Sequence, residues 1–224
     1  MLAGAKFIIE LFDNDEFKPI LIQGDHGFGK SSYANTLIAE VHSINNGGKP
    51  DWNAVKDYIG YDPEEVLDDL ESIPIGERWY VYHWDDSGTW LHSLDFQDPF
   101  VKAVGKYMHV ARTDLACMIF STIRVEDISS KIRGIRNAII VDITKEGIEP
   151  KSSEPLRRNI RTARAYILRK TWKGREWKDY QWQERFNCHV PDSFYRWYKP
   201  KRDEYAARAK EIARQKWKDR KDKD

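Results

Sequence analysis

Cysteine is nearly missing: Cys117 and Cys188 are the only two in 224 residues. Two in a chain of this length describe neither a disulfide scaffold nor a zinc cluster, so both are read as packing residues. Nowhere does the sequence approach the ~20 consecutive apolar residues of a bilayer-spanning helix, so no membrane partner is expected. Met1 to Phe17 carries acids where a secretory signal would carry a basic flank and an apolar centre, which points to a cytoplasmic protein, or to host cytoplasm if the source is viral. Internal repeats are absent too. What is present is a globular composition, 41% hydrophobic and 13% aromatic, with 33% charged residues. That excludes an intrinsically disordered chain.

The formal net charge of +1 conceals an asymmetry. Residues 1–150 carry −11 and residues 151–224 carry +12. A swing of that size over one third of the chain suits a polyanion-binding attachment on an acidic core. The expected division is therefore a core of 1–155 and a basic, aromatic C-terminal part of 156–224, with Ile148 to Pro155 as connector.

Along the core, Lys18 to Gly24 is a short apolar run stopped by glycine, as a buried parallel strand would be. A glycine loop follows, and then Ser32 to Val41, where Leu37, Ile38 and Val41 repeat with helical spacing. Asp62-Pro-Glu-Glu65 reads as an N-cap, a first-turn proline and two acids facing the dipole of a helix that runs to about Ser72. Trp79–Trp84, Leu115–Phe120 and Asn137–Ile143 are further strand candidates. Helices are expected from Asp98 to about Val110 and from Val125 to about Ile135. Alternating strands and helices predict an α/β fold with a mainly parallel sheet covered on both faces. After the connector, Ala163–Lys170 and Trp177–Phe186 read as a β-hairpin with Gly174 at its tip. Pro191 to Tyr198 and a helix from about Lys201 to Trp217 close the chain.

Gly24, Gly29, Lys30 and Ser31 satisfy G-x-x-x-x-G-K-[ST], and the motif lies between the strand and the helix as its chemistry requires. Glycines let the loop curl so that backbone N–H groups face phosphate oxygens. The helix start adds its positive end, Lys30 offsets β/γ charge and Ser31 holds Mg²⁺. Through these residues the chain resembles the P-loop NTPases over its first forty residues. The additional Gly27 makes the loop more similar to those of ring-forming AAA+ and RecA-like ATPases than to those of small nucleotide kinases.

The resemblance implies a three-layer P-loop fold with an extra strand between the phosphate-loop strand and the Asp strand, plus a C-terminal hairpin and helix. Its ligands would be ATP and Mg²⁺, with Gly24, Asp25, His26, Gly27, Phe28, Gly29, Lys30, Ser31 and Ser32 around the phosphates. Asp85, at the end of Trp79–Trp84, would hold Mg²⁺ through water together with Ser31. Asp86 would polarise the attacking water, one methylene shorter than the usual Glu. Of Ser121 and Thr122, the resemblance favours Thr122 as the γ-phosphate sensor. Arg133 and Arg136 stand where AAA+ proteins keep an arginine that reaches a neighbouring subunit's nucleotide, which implies a homo-oligomer, in ring form if it closes. The layout is similar to that of compact ATPases of archaeal viruses and plasmids. His26, His83 and His92 lack partners at metal-ligand spacing and are read as structural or surface residues.

The C-terminal part holds 12 of the 29 aromatic residues, interleaved with cations from Arg164 to Arg185. Such a surface can track a phosphate backbone while rings stack on bases, so nucleic acid, DNA in particular, is the expected partner. The combined expectation is a Mg²⁺-dependent ATPase acting in replication, helicase loading or DNA packaging. A small-molecule or nucleotide kinase with Arg124, Arg133 and Arg136 as a lid, and a slow nucleotide-dependent switch, remain alternatives.

Overall fold

β1 (Lys18–Gln23) and β4 (Leu115–Ser121) are near-continuous apolar runs, and both lie at the centre of a seven-stranded sheet. A parallel strand covered on both faces needs that composition, and every residue of β4 is buried. The protein is described here by a computed structural model, which covers residues 1–145, 159–172 and 174–221. The remaining strands are β2 (Ile59–Gly60), β3 (Trp79–Trp84), β5 (Ile139–Lys145), β6 (Ile160–Lys170) and β7 (Glu176–Asn187). Their order is β2-β3-β4-β1-β5-β6-β7. The first five run parallel; β6 and β7 continue the sheet antiparallel. β4 lies between β1 and β3, where an inserted strand was expected.

The helices are α1 (Ala3–Asp13), α2 (Lys30–Val41), α3 (Pro63–Glu71), α4 (Pro99–Tyr107), α5 (Ser130–Arg133) and α6 (Asp192–Lys221). Side chains alternate across the strands. Leu21, Tyr82, Trp84, Met118, Phe120 and Ile140 join Val66 of α3, Val104 of α4 and Ile132 of α5 in one core. On the other face α1 and α2 pack against β3 and β4, burying Ile8, Leu11, Tyr33, Leu37 and Ile38. At α3 the expected cap is present: Asp62 Oδ1 accepts from the Glu65 N–H at 3.0 Å, and Glu65 Oε2 accepts from the Tyr61 N–H at 3.0 Å.

Four elements differ from the sequence expectation, the first being the two-residue β2, Ile59–Gly60, where no strand is expected. α1 was not anticipated, although its buried Gly4, Ala5, Ile8 and Leu11 follow a helical period. The helix expected over Val125–Ile135 is instead a 3₁₀ turn, Val125–Asp127, and the single turn α5. Tertiary pairing overrides propensity there. Ile128 bridges His92 and the Ser129 N–H donates to Leu91 O at 2.8 Å, which holds the chain extended between the two turns. Finally, α6 starts at Asp192 and runs through Pro200. Ring contacts of Phe194 with Trp197 and Tyr198, and the Lys199–Asp203 ion pair, bind the turns on both sides of the proline.

The chain forms two compact units, Met1–His189 and Val190–Asp224. The hairpin therefore belongs with the core sheet, while α6 makes up the second unit. The connector Ile148–Pro155 and the expected boundary at 155/156 lie outside the described residues, as do the hairpin residue Lys173 and the last three residues of the expected frayed end. Among the described residues no helix is long and apolar enough to cross a membrane.

Topology sets the position of the site. β1, β3, β4 and β5 all end at one edge of the sheet, and there β6 begins and β7 ends. Glu184 of β7 ties α1 and α2 to this arrangement. It accepts from the N–H groups of Ala3 and Gly4, where a carboxylate meets the positive end of the α1 dipole, and from Tyr33 Oη at 2.6 Å. Glu184→Ala removes three charge-assisted bonds and is expected to lower folding stability by roughly 2 kcal/mol, read as a lower midpoint in chemical denaturation.

Candidate functional site

The loop between β1 and α2 owes its shape to two glycines. Gly24 has φ +153°, and a Cβ there would stand 2.8 Å from the backbone oxygen of Ile143. Gly29, the residue before α2, has φ +92°, and a Cβ would stand 2.8 Å from Cβ of Cys188. A side chain at either position meets both a disfavoured backbone region and a neighbour. Behind them the loop is fixed: the Gly24 N–H donates to Ile123 O at 3.2 Å and the Tyr33 N–H to Gly29 O at 2.9 Å. Lys30 is 8% exposed and folds back into the curl, its Nζ donating to the carbonyls of Gly24 at 2.7 Å and Asp25 at 3.2 Å. An ammonium parked on two carbonyl oxygens inside a glycine curl at a helix start can serve an anion in their place.

Across this edge, Asp85 is wholly buried and follows β3 directly. Its Oδ1 accepts from Ser31 Oγ at 2.8 Å, Ser121 Oγ at 2.5 Å and the Asp86 N–H at 3.1 Å. These donors offset the cost of removing a carboxylate from water. Beneath them lies His83, also wholly buried, with Nδ1 3.1 Å from Asn35 Oδ1 and Nε2 3.2 Å from Ser121 Oγ. Burial holds the His83 pKa below its ordinary 6.5 against the opposing pull of Asp85. The side chains meet through two periodicities. Ser31 and Asn35 are four apart on α2, and His83 and Asp85 are two apart along the strand, so each pair shares a face.

The fit to a metal-bound polyphosphate can be judged from these groups. One hydroxyl, Ser31, and one carboxylate, Asp85, touch at 2.8 Å and offer the oxygen donors that suit Mg²⁺, which keeps most of its shell as water and phosphate oxygen. Gly24 and Gly29 hold open the space that side chains would fill, and Lys30 supplies the opposing charge. The residues fit the group.

The other predicted residues divide into those gathered at this edge and those away from it. Asp86 is half-buried and adopts a left-handed turn, φ +49°, with its N–H shared between Asp85 and Ser121. Thr122 is buried, but its Oγ1 donates to Arg124 O at 3.3 Å. Of the two candidates at the end of β4, Ser121 is the one on Asp85. Asp25, His26 and Gly27 form the exposed crown of the loop, Phe28 is half-buried, and Ser32 opens α2 beside Ser31. Arg133 and Arg136 precede β5, which starts at the opposite edge of the sheet, so the fold does not bring them to their own chain's loop.

Three participants carried no signal in any motif. The sequence marks His83 as structural or surface and gives Asn35 and Gln23 no role, although the strand and helix periodicities pair the first two with Asp85 and Ser31. Gln23, the residue before Gly24, donates through Nε2 to Asp142 Oδ1 at 2.6 Å and accepts from the Val125 N–H at 2.7 Å. Asp142 in turn pairs with Lys178 of β7 at 2.9 Å, beside Tyr166. The start of the loop is thereby linked to the hairpin.

No family model matches the sequence, and no curated protein matches it at a significant level. Among solved structures, the chain is similar to the N-terminal domain of zonular occludens toxin from Neisseria meningitidis. Identity is 13% and the TM-score 0.43, over 80% of this chain and 97% of that one.

Gly29→Ala is expected to destabilise the fold by about 1–3 kcal/mol, the cost of a non-glycine residue in this backbone region, with further displacement of Cys188. The denaturation midpoint measures it, and an unchanged midpoint would contradict the close packing of loop and hairpin.

Proposed function

We propose that the protein is a Mg²⁺-dependent P-loop ATPase of the group with an inserted central strand, coupling ATP hydrolysis to a nucleic-acid transaction such as replication, helicase loading or DNA packaging. The observation that carries the reading is the 2.8 Å contact of Ser31 Oγ with Asp85 Oδ1 beside a loop that already holds Lys30 Nζ. Ser31, together with Asp85 through water, would hold Mg²⁺, which would supply neutralisation of phosphate charge.

In this reading Lys30 exchanges the carbonyls of Gly24 and Asp25 for phosphate oxygens, and the backbone N–H groups of the loop bind the same anion. Asp86 orients the attacking water and accepts its proton. Its side chain is one methylene shorter than the glutamate used by related enzymes, which favours slow turnover. Ser121 positions Asp85, His83 holds Ser121, and Asn35 in turn holds His83. Arg133 and Arg136, standing at the far edge, can act only on a neighbouring protomer's nucleotide, which makes hydrolysis depend on self-assembly. The same placement counts against a kinase whose lid is formed by these arginines within one chain.

Nucleic acid is the partner that best suits the charge excess of +12 over residues 151–224. The hairpin supports it with exposed Trp172, Trp177 and Tyr180 and with an exposed Arg175. Contacts of this type address the backbone and unstacked bases, without sequence readout. A phosphate that draws Lys178 from Asp142 would be felt at Gln23, and so at the loop.

Phosphate release measured with and without single- and double-stranded DNA tests the reading. Lys30→Ala is expected to abolish ATP binding. Asp86→Asn should retain binding and lose turnover by about 10²-fold or more. Arg136→Ala should lower the rate only in samples that assemble. Indifference to DNA would remove the nucleic-acid partner, and phosphorylation of an added acceptor would favour the kinase.

Binding can also be read without turnover. Burial raises the Cys117 thiol well above its ordinary pKa, while Cys188 is half-exposed against Gly29. A thiol reagent should modify Cys188 alone, and Mg-ATP should slow that modification. A rate that ignores Mg-ATP would contradict occupancy of the loop.

A further inference from the structure

The metal and phosphate donors define one end of a nucleotide and leave its nucleoside end to be located. Ser31 and Asp85 set the polarity, because the metal-bearing end faces β4 and β3 on one side of β1. A ligand that runs along the loop from there leaves it on the other side of β1, toward β5 and β6. At that place β5 ends in Lys145, whose register partner on β6 is Arg161.

Both cations stand beside the loop. Lys145 Nζ stands 4.7 Å from the centroid of the Phe28 ring. Arg161 Cγ lies 3.8 Å from the point where a Cβ on Gly29 would be, and its Nη1 donates to Ile160 O at 2.9 Å. An aromatic ring and a guanidinium are flat and stack on heterocycles, and the two cations offer donors that a ribose hydroxyl or a base edge can accept. None of this is needed to bind phosphate, since Lys30 and the loop N–H groups already do so.

We propose that Phe28, Lys145 and Arg161 form the nucleoside subsite and hold the base and ribose of the nucleotide whose phosphates occupy the loop. The proposal rests on the reading of that loop as a phosphate cradle. It gives the antiparallel extension of the sheet a role in ligand selection, because β6 brings Arg161 to the loop and the end of β7 brings Cys188 to Gly29.

The test is isothermal titration of the full chain with Mg-ATP and, separately, with magnesium tripolyphosphate, which has the phosphates and no nucleoside. The wild type should bind ATP more tightly. Lys145→Gln and Arg161→Gln should each weaken ATP binding on the order of tenfold and leave tripolyphosphate binding within about twofold, which is the signature of a lost nucleoside contact. Lys145 is exposed, so its replacement leaves the fold intact, and Arg161→Lys with a thermal melt guards against misfolding at the second position. Equal weakening of both ligands would assign the cations to phosphate and overturn the proposal. No change in either would reduce Lys145 to a cover for Phe28 and overturn it equally. Lys30→Ala in the same titration separates the two levels. If it abolishes both ligands while the subsite variants bind ATP normally, the subsite alone fails; if Lys30→Ala binds like wild type, the cradle fails with it.

Discussion

One contact organises this molecule: the hydroxyl of Ser31, in the first turn of α2, on the carboxylate of Asp85 at the end of β3. β1, which leads through the glycine loop to Ser31, and β3, which leads to Asp85, are not neighbours, because β4 lies between them. Ser121, at the end of β4, closes the gap by donating to the same oxygen of Asp85. Bringing a carboxylate to zero exposure is costly, and the arrangement persists because three donors converge on it. The register of β4 with both neighbours, Ile22 opposite Ser121 and Phe120 opposite Trp84, is therefore a condition for the site as well as for the sheet.

Most of the sheet was legible in the sequence because its strands are buried on both faces and read as apolar runs ended by glycine, acid or hydroxyl residues. The loop was legible because glycines at fixed spacing mark it, and the backbone at Gly24 and Gly29 requires them. Legibility failed where tertiary contacts decide the outcome. Ile128 and Ser129 are held extended by His92 and Leu91, so a helical pattern became two short turns. α1 escaped because its first residues mix glycine, alanine and lysine, and its anchor, Glu184, lies about 180 residues further along. Within the site, Ser121 and Thr122 are adjacent hydroxyl residues at a strand end, and only the pleat tells which of them faces Asp85. His83 had no motif to announce it, and its role follows from sharing a strand face with Asp85.

The hairpin was separated from the core by charge, and charge says nothing of sheet pairing. Pairing β6 to β5 places the two ends of the hairpin at opposite edges of the sheet. Its base, with Arg161 and Cys188, lies beside the loop. Its tip, with Trp172 and the ion pairs of Arg169 and Lys170, lies where β5 begins. Asn137 accepts from Arg169 at 2.6 Å, which sets Arg136 close to that tip. The far edge of the sheet, with the hairpin tip, and the near edge, with the glycine loop, are thus connected by two long antiparallel strands and by the Lys178–Asp142–Gln23 bonds.

The central claim is that Ser31 and Asp85 share one metal ion. A double-mutant cycle on the Mg²⁺ dependence of ATP affinity tests it most directly, using Ser31→Ala, Asp85→Asn and the pair together. The account predicts that either substitution alone removes most of the Mg²⁺ dependence and that the double variant is no worse than the more severe single one. Losses that add independently, or a Mg²⁺ dependence that survives both substitutions, would contradict it.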